Sequence, residues 1–422
     1  MISRWATTTF ASLEHPHYRI LWAGTALGTL AFMMSSIVQS VVAFDITGKN
    51  GAVGLVALGM GAATIIVSPF GGVIADRMSK RKLLLIGQSA IGVNFLVIGV
   101  LIVTGHITLV ALVASTFVMG TVFSFIAPAR QAWIGDLLPG EALANGVALQ
   151  QMAMAGTRIV GPFVAGLLIS IAIIGSGGTY LFMGALFIVV VGTLAQLPPT
   201  KSRPKEGSPT IMADMLLGVR HISDRPPLRL LTFSFIAMIV AGFSYQVILP
   251  GFLENELGRN PDQIGWMLGI GAIGGLAVTL GVAGYAGSRY AWQLMLITGV
   301  LLALSLFLLA LAPNFALALC AMLLVGGGSS GFQLLNNALV MQETDPVYFG
   351  RVMSFTMLAW GANGLAGLPF GLLADALGER QTFFVMGLLV LAVASITAAF
   401  HVLLKRRATP TELKPISVIG GK

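Results

Sequence analysis

Charge is what this chain has least of. Its 422 residues carry 24 Lys and Arg and 16 Asp and Glu, 9% in all, where a soluble domain carries about 25%. A surface that faces water on every side is therefore excluded. Cysteine is reduced to Cys320, which rules out an intrachain disulfide and a thiolate metal cluster. The five histidines, His15, His17, His106, His221 and His401, are scattered, so no metal site is expected. Every Asp and Glu falls at the end of an apolar run or between runs. Without clustered His or carboxylate chemistry at one depth, the chain is not expected to be an enzyme, and no cofactor is implied. A cleavable leader is also missing from the pattern: 1–17 is polar, and the first apolar run is long enough to be a mature span.

Apolar sequence is abundant. Hydrophobic residues make up 56% of the chain and mean hydropathy is +0.90, so the solvent must be largely lipid. Crossing a bilayer takes about 20 residues of helix. Twelve runs qualify: 18–44, 52–75, 83–104, 107–127, 146–173, 178–196, 228–252, 262–286, 291–311, 314–341, 350–375 and 380–404. They also repeat. Gly120, Phe125, Asp136, Pro139 and Pro162 are answered 207 residues later by Gly327, Phe332, Glu343, Pro346 and Pro369. The expected fold class is an all-α membrane protein of twelve transmembrane helices in two pseudo-symmetric six-helix bundles.

The halves divide at a linker. The expected domains are a first bundle at 1–196, a cytoplasmic linker at 197–227, a second bundle at 228–404 and a tail at 405–422. Pro198, Pro199 and Pro204 make the linker's start stiff and extended, and 211–221 reads as a short amphipathic helix on the membrane surface. If the N-terminus is cytoplasmic, inside segments hold 20 of the 24 Lys and Arg. That is the positive-inside pattern, and it places both termini in the cytoplasm. The net charge of +8 is thereby accounted for by topology, with no nucleic-acid partner. Basic residues at the start of the tail are expected to meet anionic membrane lipid.

The loop after the second run reads Gly72-Val-Ile-Ala-Asp76-Arg77-Met-Ser79-Lys80-Arg81-Lys82. It resembles the loop motif of the major facilitator superfamily, with Ser79 where a second glycine is usual. The resemblance implies a conformational latch made by Gly72, Asp76, Arg77, Lys80 and Arg81 on the cytoplasmic side. A carboxylate at a helix end is suited to face a neighbouring helix N-terminus or arginine. The matching loop of the second half, Gly284 to Arg289, has no acid. In the fifth run, Gly156-Thr-Arg158-Ile-Val-Gly161-Pro162-Phe-Val-Ala-Gly166 resembles the glycine–proline motif of exporters in that superfamily. Gly161, Pro162 and Gly166, with Pro369 in the second half, are the expected helix bend and close-packing points. Asp45-Ile-Thr-Gly48, Pro128-Ala-Arg130, Leu143-Ala-Asn145 and Arg158 to Pro162 are similar to the macrolide-efflux and enterobactin-exporter branch.

Arg158 is the one charge within a run, about 18 Å from its cytoplasmic start. An arginine at the bilayer centre costs at least about 2.5–3.5 kcal/mol. Its repeat partner is Leu365, so the fold itself does not need the charge. It is read as a contact for an anionic substrate or a gate, with a structural pairing to buried carbonyls as the alternative. Ser36, Gln39, Gln151, Gln246, Gln333, Asn337 and Asn363 join it as cavity candidates, since amides facing lipid are costly. Helix-to-helix bonding is the equal alternative for each. Asp45 and Asp76 are the candidates for proton coupling. The expected function is export of a small amphipathic or anionic compound, drug-like or siderophore-like, across the bacterial cytoplasmic membrane by alternating access. Its partners would be the substrate, protons and lipid, and the chain would act as a monomer. A facilitator or importer, or a membrane sensor that moves nothing, is the alternative.

Overall fold

The computed structural model describes residues 10–198, 211–345 and 348–408. The side chains of 69–77, 128, 132, 141, 211–215, 349–350, 353–357 and 405–408 are also outside the description. Helix is the only regular structure among the described residues. The first half contains α1 (Pro16–Thr47), α2 (Asn50–Arg77), α3 (Lys80–Val103), α4 (Leu109–Leu137), α5 (Gly140–Ser170) and α6 (Gly175–Ala195). A linker helix, α7 (Ile211–Asp224), leads to α8 (Pro226–Phe243) and α9 (Tyr245–Gly251). Then follow α10 (Ile264–Ala283), α11 (Ala291–Leu311), α12 (Phe315–Glu343), α13 (Phe349–Leu377) and α14 (Glu379–Ala408).

Local chemistry sets the ends. Pro16 opens α1, where its missing N–H costs nothing, and Gly48 at φ +63° closes it. Thr108 accepts from the Ala111 amide at 3.2 Å to cap α4, and Asn314 accepts from the Leu317 amide at 3.0 Å to cap α12. Gly378, at φ +98°, turns α13 into α14.

Among the described residues, eleven segments are long and apolar enough to cross a membrane. The expected run at 350–375, the eleventh in order, forms α13, which is 29 residues long and includes 353–357, whose side chains are outside the described set. Gly361, Gly364, Gly367 and Gly371 of this helix face α2 of the other half. The seventh run, expected as one helix, is instead broken. Ser244 separates α8 from α9, which contains Pro250 and ends in a wide π turn at Phe252–Glu256.

The helices alternate in direction, so their ends collect on two faces. The near face carries the start of α1 and the end of α14; the far face carries the α1–α2 and α13–α14 turns. Aromatic packing fills both halves: Phe95 meets Tyr180 at 5.8 Å and Phe187 at 5.4 Å, while Phe252 meets Phe383 at 5.1 Å.

Two antiparallel contacts join the halves, α2 against α13 and α5 against α10. Both are built from glycine. A methyl group on Gly364 would sit 2.7 Å from Cα of Gly61, and one on Gly265 would sit 2.8 Å from Cα of Gly166. Gly54 is pressed onto the backbone of Gly367 in the same way. With no water to drive helices together, close backbone approach supplies the attraction. Toward the near face the contact ends. A methyl group on Gly156, Gly281 or Gly284 meets nothing within 4 Å among the described residues. Met152, Met154 and Val160 of α5 and Leu276 and Leu280 of α10 are exposed. Along α5 and α10 the halves are closed against each other toward the far face and parted toward the near face.

Candidate functional site

Beside the glycine contact of α2 with α13, a cavity of about 90 Å³ lies between the halves. Ser36, Gln39 and Ser40 of α1 and Val53, Val56 and Ala57 of α2 form one wall. Phe243, Ser244, Gln246, Val247 and Asn363 form the other. Asn363 is the central residue of α13, about 21 Å from either end by helical rise. Four residues read from sequence as separate candidates, Ser36, Gln39, Gln246 and Asn363, thus meet at mid-depth.

Each arrives by a local cause. Ser36 and Gln39 are one turn apart on one face of α1. Their hydroxyl neighbours are settled along the helix: Ser36 donates to Met33 O and Ser40 to Ser36 O, each at 2.8 Å. Ser244 occupies the break between α8 and α9, and its hydroxyl lies 3.1 Å from Asn363 Oδ1. Oε1 of Gln39 is buried and accepts no hydrogen bond from the protein. A buried amide oxygen without a partner carries a cost that a donor reaching it would relieve. Ser244 was missed in the sequence, although the run Ser244-Tyr-Gln246 just before Pro250 marks a polar break in an otherwise apolar span.

Arg158 stands three residues beyond the middle of α5. The helix begins at Gly140 rather than near 146, so the residue is about 27 Å from the near end, not 18. Its side chain is exposed in the parted region and within electrostatic reach of the Tyr245 hydroxyl. Tyr245 is buried and directly precedes the cavity residue Gln246, which puts the cation beside the cavity. Gln151, two turns nearer the start of α5, is exposed in the same region.

Other candidates lie elsewhere. Gln333 and Asn337 on α12 are half-buried and do not line this cavity. Asn337 Oδ1 is buried without a partner. Their neighbour Asn336 bonds helices together, donating to Leu231 O at 3.1 Å. Asp45 is exposed at the far end of α1, within electrostatic reach of Glu254 and Asp262. A methyl group on Gly161 would sit 2.6 Å from Cβ of Met33, and Pro162 and Pro369 lie inside their helices as expected. Of the latch candidates, Gly72, Asp76 and Arg77 close α2, with side chains outside the described set. Lys80 pairs with Asp136 at 2.6 Å, and Arg81 donates to Ala195 O; both bonds lie within the first half. No group of three or more His, Cys, Asp or Glu is placed to hold a metal among the described residues.

A gated cavity at the centre of two packed bundles is the geometry of a transporter, and sequence comparison decides which kind. The model of the transmembrane secretion effector family matches residues 7–413. The chain belongs to that family of major facilitator transporters. Its relatives include macrolide efflux protein A of Streptococcus pyogenes, 23% identical over 89% of this chain and 94% of that protein. The enterobactin exporter of Escherichia coli O1:K1 is 23% identical over 87% of this chain and 86% of its own. The fold matches a solved bacterial homologue of the human lysosomal transporter Spinster with TM-score 0.74 at 14% identity, covering 94% of this chain and 99% of that one. The chain is therefore a multi-pass membrane transporter with efflux-type relatives, and not an enzyme.

Proposed function

We propose that this transporter exports a small amphipathic or anionic compound, drug-like or siderophore-like, from the bacterial cytoplasm by alternating access. The carrying observation is the mid-depth cavity, shut toward the far face and adjoined by an exposed cation toward the near face. With the near face cytoplasmic, as the Lys and Arg distribution favours, this is the state that loads from inside. Arg158 attracts an anionic group while Gln39, Gln246 and Asn363 bond its polar edge, and Phe243, Val53 and Val247 take its apolar body. Protons supply the driving force, with Asp45 at the far mouth as the carrier. The macrolide and enterobactin relatives favour the same substrate range.

The test is accumulation in an efflux-deficient bacterial host, comparing wild type with Arg158→Ala, with and without a protonophore. The panel holds a lipophilic cation, a macrolide and a catecholate acid. Lower accumulation of at least one compound, lost on adding the protonophore and weakened by Arg158→Ala, supports the proposal. Accumulation unchanged or raised across the panel contradicts it.

A further inference from the structure

The helix α2 has no cap of its own. Lys49, the residue before it, offers no acceptor, yet the Asn50 and Gly51 amides are both satisfied. The acceptor is Asp375, from the end of α13 in the other half. Its Oδ1 takes the Asn50 amide at 2.7 Å and its Oδ2 takes the Gly51 amide at 2.9 Å. A carboxylate there meets both the orphan donors and the positive end of the helix dipole. The Asn50 side chain then reaches on to Glu379 Oε1 at 2.9 Å, which also accepts from Asn255 at 2.7 Å. Asn50 and Glu379 are buried, at 2% and 5% exposure. Space is cleared for this network: a side chain on Gly251 would strike Asn50 and Glu379, and one on Gly371 would strike the Asn50 carbonyl. Arg380 holds Glu256 at 2.5 Å alongside.

We propose that Asp375, with Asn50 and Glu379, is a far-face latch, in which one half caps a helix of the other and so holds the outer mouth shut. The latch rests on the alternating-access reading above. Opening outward must take Asp375 away from α2, leaving two amides uncapped until water replaces it. Because α2 and α13 run antiparallel, the loop acid Asp76 stands at the other end of the same helix.

The latch is tested without substrate or gradient. In a Cys320→Ala background, Ser36→Cys is placed in the cavity wall and labelled with a membrane-impermeant maleimide, from outside in intact cells and from inside in inverted vesicles. Asp375→Ala is expected to raise outside labelling about tenfold or more, corresponding to about 1.4 kcal/mol of lost bias, and to lower inside labelling. Asn50→Ala should move both in the same directions. Lys49→Ser gives α2 a cap of its own. If Asp375→Ala acts by releasing the halves, adding Lys49→Ser leaves outside labelling high. If recapping restores the wild-type pattern, the effect was fraying of α2 and the latch is overturned. Labelling unchanged from outside, or raised equally from both sides, overturns it as well. The readout needs no transport, so a failed latch leaves the export proposal standing, and a failed export assay leaves this result intact.

Discussion

The Ser244 hydroxyl lies 3.1 Å from Oδ1 of Asn363, joining the break between α8 and α9 to the midpoint of α13. The bond ties the amide to a second lining residue of the cavity.

Asn363→Leu should therefore keep the fold and lose transport. Replacing a half-buried amide with an apolar group of similar size is expected to change stability by no more than about 1 kcal/mol. Net efflux should fall severalfold. Accumulation assays and a melting curve in detergent check the two halves of the prediction.

Gln39→Leu should act more strongly than Ser40→Ala. Gln39 presents a buried oxygen with no partner in the protein, whereas the Ser40 hydroxyl is satisfied by its own helix. A measured apparent affinity that weakens in Gln39→Leu, with Ser40→Ala near wild type, fits this arrangement.

Glycine substitutions should divide sharply by what each glycine faces. A methyl group on Gly364 meets Cα of Gly61 at 2.7 Å, so Gly364→Ala should force the halves apart and destabilise the closed far face, by about 1–3 kcal/mol on the scale of overpacking. Gly156→Ala meets nothing within 4 Å and should be neutral or stabilising by up to about 1 kcal/mol through helix propensity. Thermal melting of the two variants in detergent separates them.

Asp45→Asn should uncouple transport from the proton gradient. Asp45 is exposed at the far end of α1, near Glu254 and Asp262, a position that an external proton reaches first. Efflux that keeps its full protonophore sensitivity in this variant would remove Asp45 from the coupling scheme.

Much of this molecule is legible in its sequence, and the parts that are not share a physical reason. The spans follow from apolar run length, which local composition reports directly. Gln39, Gln246 and Asn363 were identifiable as costly polar residues in lipid-facing sequence, but their meeting in one cavity depends on helix rotation and crossing, which a periodic pattern does not specify. The break at Ser244 was hidden because Val247 to Leu249 continue the apolar run across it. The distance of Arg158 from the start of its helix was underestimated because α5 starts at Gly140, six residues before its apolar stretch. Asp375 was passed over because an acid at a span end looks like an ordinary surface residue. Only the three-dimensional contact with Asn50, 325 positions away, shows what it caps.

The central claim is outward transport driven by protons through the cavity beside Arg158. Its most direct test uses purified protein in inverted vesicles, where the near face is outside, with a pH gradient imposed acid inside. The probe is whichever panel compound shows the lowest wild-type accumulation. The account predicts gradient-dependent entry of that compound in wild type, reduced at least severalfold in Arg158→Ala. Equal entry with and without the gradient, or none in wild type, would contradict it.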